Sequence, residues 1–199
     1  MSQRLEIFQK LVTAPNAPNK ALPEHIRECL RALEMAPVHI QGDAGNLISE
    51  GRREYLQLLA SRAKHFWTRS KPVGDGIATR ATVGLTAQQQ EEVRDFFHDA
   101  YYVAFYVARY ALVSLGFYDC TSHDNYDGIL NQTAADPSLV RADADKLLRI
   151  KACLSQQKPH RNDADYIFGN ARLSNLGNRQ LVQDTITRVD GLLTDWGIS

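Results

Sequence analysis

The sequence predicts an all-α protein, in which a four-helix bundle follows a helical N-terminal extension. Three observations favour this fold class. Apolar residues recur at helical spacing in almost every long segment, and no internal repeat or low-complexity run interrupts them. The chain has 199 residues, of which 44% are apolar and 23% charged, so its composition is that of a globular protein rather than a disordered one.

The N-terminal extension is predicted to occupy residues 1–85. An amphipathic helix is expected over residues 1–13, where charges among the apolar residues argue against a secretory signal. Shorter and longer helices follow at 23–33 and 47–67. Residues 70–85 contain one proline and three glycines among threonines, a pattern that favours a long loop or a small β-excursion and marks the domain boundary.

The bundle is predicted to occupy residues 86–199. Thr86 with Gln89 forms a capping box for a long helix, which should end near Leu115 because Gly116 follows. A polar loop is expected at 119–133, and further helices are expected where apolar residues again recur at helical spacing. These ranges are 136–154, opened by an Asp-Pro pair, then 160–173 after a loop at 156–159, and 180–196.

The helix after Thr86 contains the most apolar stretch of the chain. Residues 100–117 carry one formal charge, Arg109, and their length is about the lower limit for crossing a bilayer. Tyrosines lie along the whole stretch instead of at its ends, which favours a central helix of a soluble domain without membrane contact. A buried Arg109 must be paired, and Asp163 or Asp165 is the expected partner.

Charge and cysteine content restrict the function class. Lys plus Arg and Asp plus Glu each number 23, which excludes a protein that coats nucleic acid by bulk charge. Residues 1–84 nevertheless hold 12 basic against 8 acidic residues. The basic cluster there predicts a face for RNA or a protein partner, unless it is a solvated face packed on the acidic half. Its main members are Arg52, Arg53, Arg62, Lys64 and Arg69.

Three cysteines without a CxxC pair indicate a reducing compartment, and we expect a cytoplasmic protein. Two His-Asp pairs, at 98–99 and 123–124, are too sparse to predict a metal site. No phosphate-binding loop follows Gly76. We therefore expect neither a metal nor a cofactor.

Three motifs occur in a fixed order in the second part of the chain. They are the aromatic and small residues of 101–112, Ser122-His123 in the next loop, and Arg-x-x-Ala-Asp-Tyr from Arg161 to Tyr166. In this order they resemble the HEPN superfamily of small four-helix domains, over roughly residues 86–196. The resemblance implies a homodimer whose polar motif residues lie near a shared cleft, here Arg109, Asn162, Asp165 and Tyr166.

Many HEPN domains are metal-independent ribonucleases that use an Arg followed by a His four to six residues later. An Arg neutralises the phosphate, and a His takes the proton of the 2′-hydroxyl. Counting from Arg161, the corresponding window holds Tyr166, Ile167 and Phe168 instead. His160 and His123 are the remaining candidates for the base.

These considerations lead to one leading hypothesis and two alternatives. The leading hypothesis is a nucleotide- or RNA-binding component of a prokaryotic defence or toxin–antitoxin type system that is not catalytic alone. The resemblance implies a nucleotidyltransferase or a defence effector as its protein partner. The alternatives are an RNA endonuclease with a displaced His and a dimerising adaptor for a larger effector.

Overall fold

The computed structural model describes residues 3–13, 38–80, 85–166 and 176–198. These ranges contain α-helices and no β-strand, which confirms the all-α prediction. The helices are α1 (Gln3–Val12), α2 (Val38–Thr79), α3 (Ala87–Ser114), α4 (Tyr126–Ala134), α5 (Arg141–Tyr166) and α6 (Arg179–Asp195). The helix expected at 23–33 lies outside the described residues, as does the end of the helix expected at 160–173.

The start and end of α3 agree with the sequence. The Thr86 backbone N–H donates to Gln89 Oε1 at 2.9 Å, and the Gln89 N–H donates to Thr86 Oγ1 at 3.3 Å, which is the predicted capping box. Gly116 follows the helix with φ of 82°, a conformation that side-chain-bearing residues rarely adopt. Both boundaries therefore depend on local chemistry that the sequence displays.

The loop predicted for residues 70–85 is wrong over residues 70–79, because α2 continues as a helix to Thr79. Pro72 lies inside this helix even though it has no N–H to donate. Packing explains why the helix persists. Ile77 and Ala78 are buried, and a Cβ on Gly74 would lie 2.3 Å from a ring carbon of Phe96. Glycine is thus required here by close contact.

The loop predicted for residues 156–159 is also wrong, since α5 runs without a break from Arg141 to Tyr166 and includes Pro159. The helix begins later than the Asp-Pro pair suggested. Asp136 instead forms a turn, in which its carboxylate accepts from the Ser138 backbone N–H at 2.8 Å. The helix of residues 126–134, α4, falls in the region expected to be mainly loop.

The chain divides into two compact units, each of which is made from two separate segments of the sequence. Unit 1 comprises residues 1–60 and 108–147, and unit 2 comprises residues 61–107 and 148–199. Helices α2, α3 and α5 contribute residues to both units. None of the helices in the described ranges is long and apolar enough to cross a membrane.

Each unit has its own buried side chains. In unit 1 the largest fully buried side chains are Phe8, Tyr55, Leu59, Leu112, Leu130 and Leu147. In unit 2 they include Trp67, Val93, Phe96, Phe97, Tyr101, Ile150, Val182 and Val189. The indole Nε1 of Trp67 donates to Asp190 Oδ1 at 2.7 Å, so this large ring is buried with its polar atom satisfied.

Candidate functional site

Arg161, the first residue of the Arg-x-x-Ala-Asp-Tyr motif, lies on α5 within unit 2. Its Nε is 2.5 Å from Asp165 Oδ2, one helical turn further along. The other carboxylate oxygen, Asp165 Oδ1, is 2.9 Å from Nδ1 of His98 on α3. Arg161 and Asp165 form an ion pair, and the same carboxylate contacts His98, a histidine that sequence reasoning did not assign to this site.

Three tyrosine rings surround the Arg161 guanidinium. Its central carbon lies 5.6 Å from the ring centre of Tyr101, 5.8 Å from that of Tyr102 and 5.7 Å from that of Tyr166. Tyr101 is buried, whereas Tyr166 is 67% exposed. Aromatic faces attract a guanidinium, and the attraction is stronger where water is excluded. The arrangement therefore holds Arg161 in position, with 18% of its side chain exposed beside the open Tyr166.

His160 precedes Arg161 and packs its ring 5.5 Å from that of Phe97. Burial lowers the pKa of His160, an effect that nearby Asp163 partly opposes. The imidazole is therefore neutral at neutral pH. Asn162, the next motif residue, is half-buried on the same turn.

We define the aromatic–arginine strip as Arg62, Phe66 and Arg69 on α2 with Tyr102 and Tyr106 on α3. The Phe66 ring lies 5.5 Å from that of Tyr102 and 5.8 Å from that of Tyr106, with interplanar angles of 19° and 18°. All five residues belong to unit 2. Because Tyr102 also contacts Arg161 and lies 4.7 Å from the His98 ring, the strip adjoins the motif.

Two arginines flank these rings. Arg62 lies 5.6 Å from the centre of the Tyr106 ring, and its Nη1 donates to the Tyr106 hydroxyl at 3.2 Å. Arg69 lies 5.6 Å from the Phe66 ring and forms hydrogen bonds of 2.8 and 2.5 Å to both carboxylate oxygens of Asp99. These bonds raise the pKa of Arg69 above its ordinary value. Lys64, on the same helix, is exposed.

Comparison of the chain with family models, with curated proteins and with solved structures found no match. We therefore infer function from the chemistry of the residues that the structure brings together.

The structure assigns the predicted site residues to two different units. Arg62, Lys64, Arg69, His160, Arg161, Asn162, Asp165 and Tyr166 belong to unit 2, whereas Arg52, Arg53, Arg109 and His123 belong to unit 1. His123 is half-buried in the segment between α3 and α4. The basic cluster expected as a single face thus has Arg52 and Arg53 in unit 1 and Arg62, Lys64 and Arg69 in unit 2.

Arg52 and Arg53 line an open cavity of about 400 Å³ in unit 1, together with Gln57 and Tyr110. Arg52 is half-buried, and its Nη2 donates to the backbone oxygen of Ser114 at 2.9 Å. Ser114 is the last residue of α3, so this cation contacts a helix C-terminus, where a positive charge is favourable. Arg53 is exposed.

Arg109 has a different partner from the one expected. Its Nε and Nη2 donate to the two oxygens of Asp119 at 2.9 and 2.6 Å, so the prediction of Asp163 or Asp165 is wrong. Arg109 Nη2 also donates to the Tyr55 hydroxyl at 2.9 Å, and that hydroxyl in turn donates to Asp119. Burial opposes the charge of Arg109, yet the bonds to Asp119 raise its pKa above the ordinary value.

Tyr55 completes this network. Burial and the adjacent Asp119 carboxylate raise the pKa of Tyr55 well above the usual range, so the phenol stays protonated and remains a donor. Asp119 is anchored in addition by its backbone N–H, which donates to the Val12 oxygen at 3.0 Å. The three side chains satisfy one another inside unit 1, and this accounts for a charged residue in so apolar a helix.

Within the described ranges, no group of three or more His, Cys, Asp or Glu residues could hold a metal ion. Cys120 and Cys153 are buried and form no disulfide. Burial raises the pKa of Cys153 to about 12, so its thiol is protonated at neutral pH.

Proposed function

We propose that this chain is a HEPN-like, cytoplasmic protein that binds RNA or a nucleotide and does not cleave it alone. Its place would be in a prokaryotic defence or toxin–antitoxin type system. One observation carries the binding function: the Arg161 guanidinium is held by Asp165 and three tyrosine rings, next to an accessible surface. The family assignment rests on the three sequence motifs.

The chemistry of Arg161 suits a phosphate ligand. A guanidinium carries five N–H donors in a planar fork, and the contact with Asp165 engages Nε. The donors on the two terminal nitrogens have the geometry for bidentate phosphate binding. His98, when protonated, can balance the charge of Asp165 while Arg161 contacts a phosphate.

The rings beside Arg161 suit the rest of a nucleotide. Tyr102 is half-buried and Tyr166 is exposed. Bases stack on such rings, with a contribution of about 1–3 kcal/mol per base. A phosphate-binding cation between two accessible aromatic groups therefore favours a nucleotide or RNA over an inorganic anion.

The proposal is tested by fluorescence anisotropy with labelled single-stranded RNA and labelled nucleotides. Arg161→Ala should weaken binding about 10-fold to about 100-fold, since a hydrogen bond to a charged group contributes about 1.5–3 kcal/mol. Arg161→Lys should restore only part of the affinity, because lysine keeps the charge but not the planar fork.

Arg179→Ala is the matched control, because Arg179 is an exposed arginine at the start of α6. It should leave the affinity unchanged, and circular dichroism should show that all variants are folded. Binding that Arg161→Ala and Arg179→Ala reduce equally would show only general electrostatic attraction and would contradict the site.

A second candidate function, metal-independent RNA cleavage, is favoured by His98. Its hydrogen bond to Asp165 brings an imidazole to the Arg161 cluster, where a general base would be needed. We expect single-stranded RNA to remain intact over hours with and without divalent metal. If it is cleaved, Arg161→Ala should abolish cleavage and His98→Ala should slow it by about 100-fold or more.

The same cleavage assay distinguishes the histidines. His160→Ala and His123→Ala should have much smaller effects than His98→Ala if His98 is the base. Cleavage that survives Arg161→Ala would contradict both candidate functions.

We further propose a homodimer that associates with a nucleotidyltransferase or a defence effector. Sedimentation at micromolar concentration should give about twice 22.4 kDa. A monomer that does not associate at higher concentration would contradict the shared cleft that the resemblance implies.

A further inference from the structure

The aromatic–arginine strip continues the Arg161 site along α2 and α3. His98, Tyr102 and Tyr106 are spaced four residues apart on α3, so they follow one face of that helix. Phe66 on α2 stacks with both tyrosines, and its ring plane lies 19° from that of Tyr102 and 18° from that of Tyr106. The rings thus form a surface of common orientation, and each of the three is only half-buried.

The strip presents positive charge to solvent. Arg69 is 58% exposed, whereas its partner Asp99 is only 1% exposed, so the cation lies on the solvent side of the pair. Arg62 is exposed, and the hydrogen bond that it donates to Tyr106 goes to a hydroxyl group and not to a carboxylate. That bond leaves the positive charge of Arg62 uncancelled.

Aromatic rings interleaved with exposed cations select one class of nucleic acid. Bases can stack on side chains only when they are unpaired, and the accompanying cations contact the phosphates. Duplex RNA offers its phosphates and 2′-hydroxyls but keeps its bases within the helix. A strip in which Phe66 links two tyrosines is therefore better suited to a single strand.

We propose that the aromatic–arginine strip, continued by Arg161 and Tyr166, is a track for single-stranded RNA of little sequence preference. Bases stack on Tyr106, Phe66 and Tyr102, and the arginines hold the intervening phosphates. This inference rests on the proposed function because Tyr102 and Arg161 belong to both. It goes beyond that function by fixing the ligand as a multi-nucleotide single strand.

The full chain should be titrated with labelled single-stranded oligouridine and with a duplex RNA of the same length, at several salt concentrations. Phe66→Leu keeps an apolar side chain but removes the ring. It should weaken single-strand binding about 5-fold to about 100-fold without changing the slope of affinity against salt. Arg62→Gln should weaken binding and reduce that slope by about one.

Tyr118→Leu is the matched control for loss of an aromatic ring, because Tyr118 is half-buried in unit 1. It should leave binding to oligouridine unchanged. Thermal unfolding should show that Phe66→Leu and Tyr118→Leu are both folded at the assay temperature. The duplex should bind more weakly than the single strand and should be insensitive to Phe66→Leu.

The outcomes separate the two proposals. If Arg161→Ala weakens nucleotide or RNA binding while Phe66→Leu and strand state have no effect, the strip is overturned and the proposed function stands. If neither RNA nor nucleotides bind, both are overturned. If polyglutamate binds as tightly as oligouridine and depends equally on Phe66, the strip recognises acidic polypeptides and the RNA track is overturned.

Discussion

Arg109 in unit 1 and Arg161 in unit 2 are surrounded by the same residue types but differ in exposure to water. Each is paired with an aspartate and contacted by tyrosine. The side chains of Arg109 and Asp119 are 10% and 0% exposed, whereas Arg161 and Asp165 are each 18% exposed beside the open Tyr166. The residue types around an arginine therefore do not distinguish the structural Arg109 from Arg161, which we propose binds a ligand.

The two clusters differ in whether water or a ligand can replace a lost ion-pair partner. A buried ion pair has no water to replace a lost partner, so removal of one member leaves an uncompensated charge. A partly exposed pair can exchange its partner for solvent or for a phosphate at small cost. The Arg109 network should consequently control folding, and the Arg161 cluster should control binding.

The largest expected effect is on the folding of unit 1. Asp119→Ala should lower the free energy of unfolding by about 3–5 kcal/mol, because it leaves the Arg109 guanidinium buried without its carboxylate. Urea denaturation followed by circular dichroism measures this loss. Asp165→Ala is the matched control and should cost about 1 kcal/mol or less. Equal losses for the two variants would remove the distinction between the clusters.

A smaller loss of stability is expected when a single hydroxyl group is removed. Tyr55→Phe removes a group that donates to Asp119 and accepts from Arg109, so it should cost about 1–3 kcal/mol. Tyr106→Phe removes a hydroxyl that accepts from the exposed Arg62 and should change stability by less than about 0.5 kcal/mol. If the order of the two losses were reversed, the Tyr55 hydroxyl would not be part of the stabilising network.

Asp165→Asn tests the role of the Arg161 cluster through its effect on RNA affinity. Removal of the carboxylate charge makes the net charge of the Arg161 cluster more positive. The affinity for single-stranded RNA should therefore rise about fivefold, equivalent to about 1 kcal/mol. Anisotropy at low and high salt measures the change, which should shrink as salt increases. A fall in affinity would instead show that Asp165 is needed to orient Arg161.

The smallest expected effect is a pH dependence from His160. Because burial lowers its pKa in the folded state, the unfolded chain, with a pKa of about 6.5, binds the proton more tightly. Stability should therefore fall as pH drops below about 6.5, until the pH passes the lower folded pKa. His160→Gln should flatten this part of the stability profile, which urea denaturation at a series of pH values measures.

Residues that are close together in the sequence were sufficient to predict some structural features. The capping box of Thr86 and Gln89 and the stop at Gly116 were predicted because each depends on residues a few positions apart. Arg161 and Asp165 are one helical turn apart, so their pairing also depends on residues that are close in the sequence. The all-α class was predicted from helical periodicity, which nearly every segment shows.

Features that depend on distant contacts were missed. Gly74 and Pro72 are signals for a loop, yet contact of Gly74 with Phe96 favours helix at this position. The pairing of Arg109 with Asp119, and of His98 with Asp165, depends on how α3 meets other segments. Spacing along the chain carries no information on contacts between distant segments. The predicted partner of Arg109 was therefore wrong, and His98 was not assigned to the site.

The location of the two tryptophans has a consequence for spectroscopy. The chain contains only Trp67 and Trp196, and both belong to unit 2. Intrinsic tryptophan emission therefore reports on unit 2, while far-ultraviolet circular dichroism reports on helices of both units. A variant such as Asp119→Ala can then reveal whether the halves melt together: an ellipticity change that precedes the emission change would identify unit 1 as an independent cooperative segment.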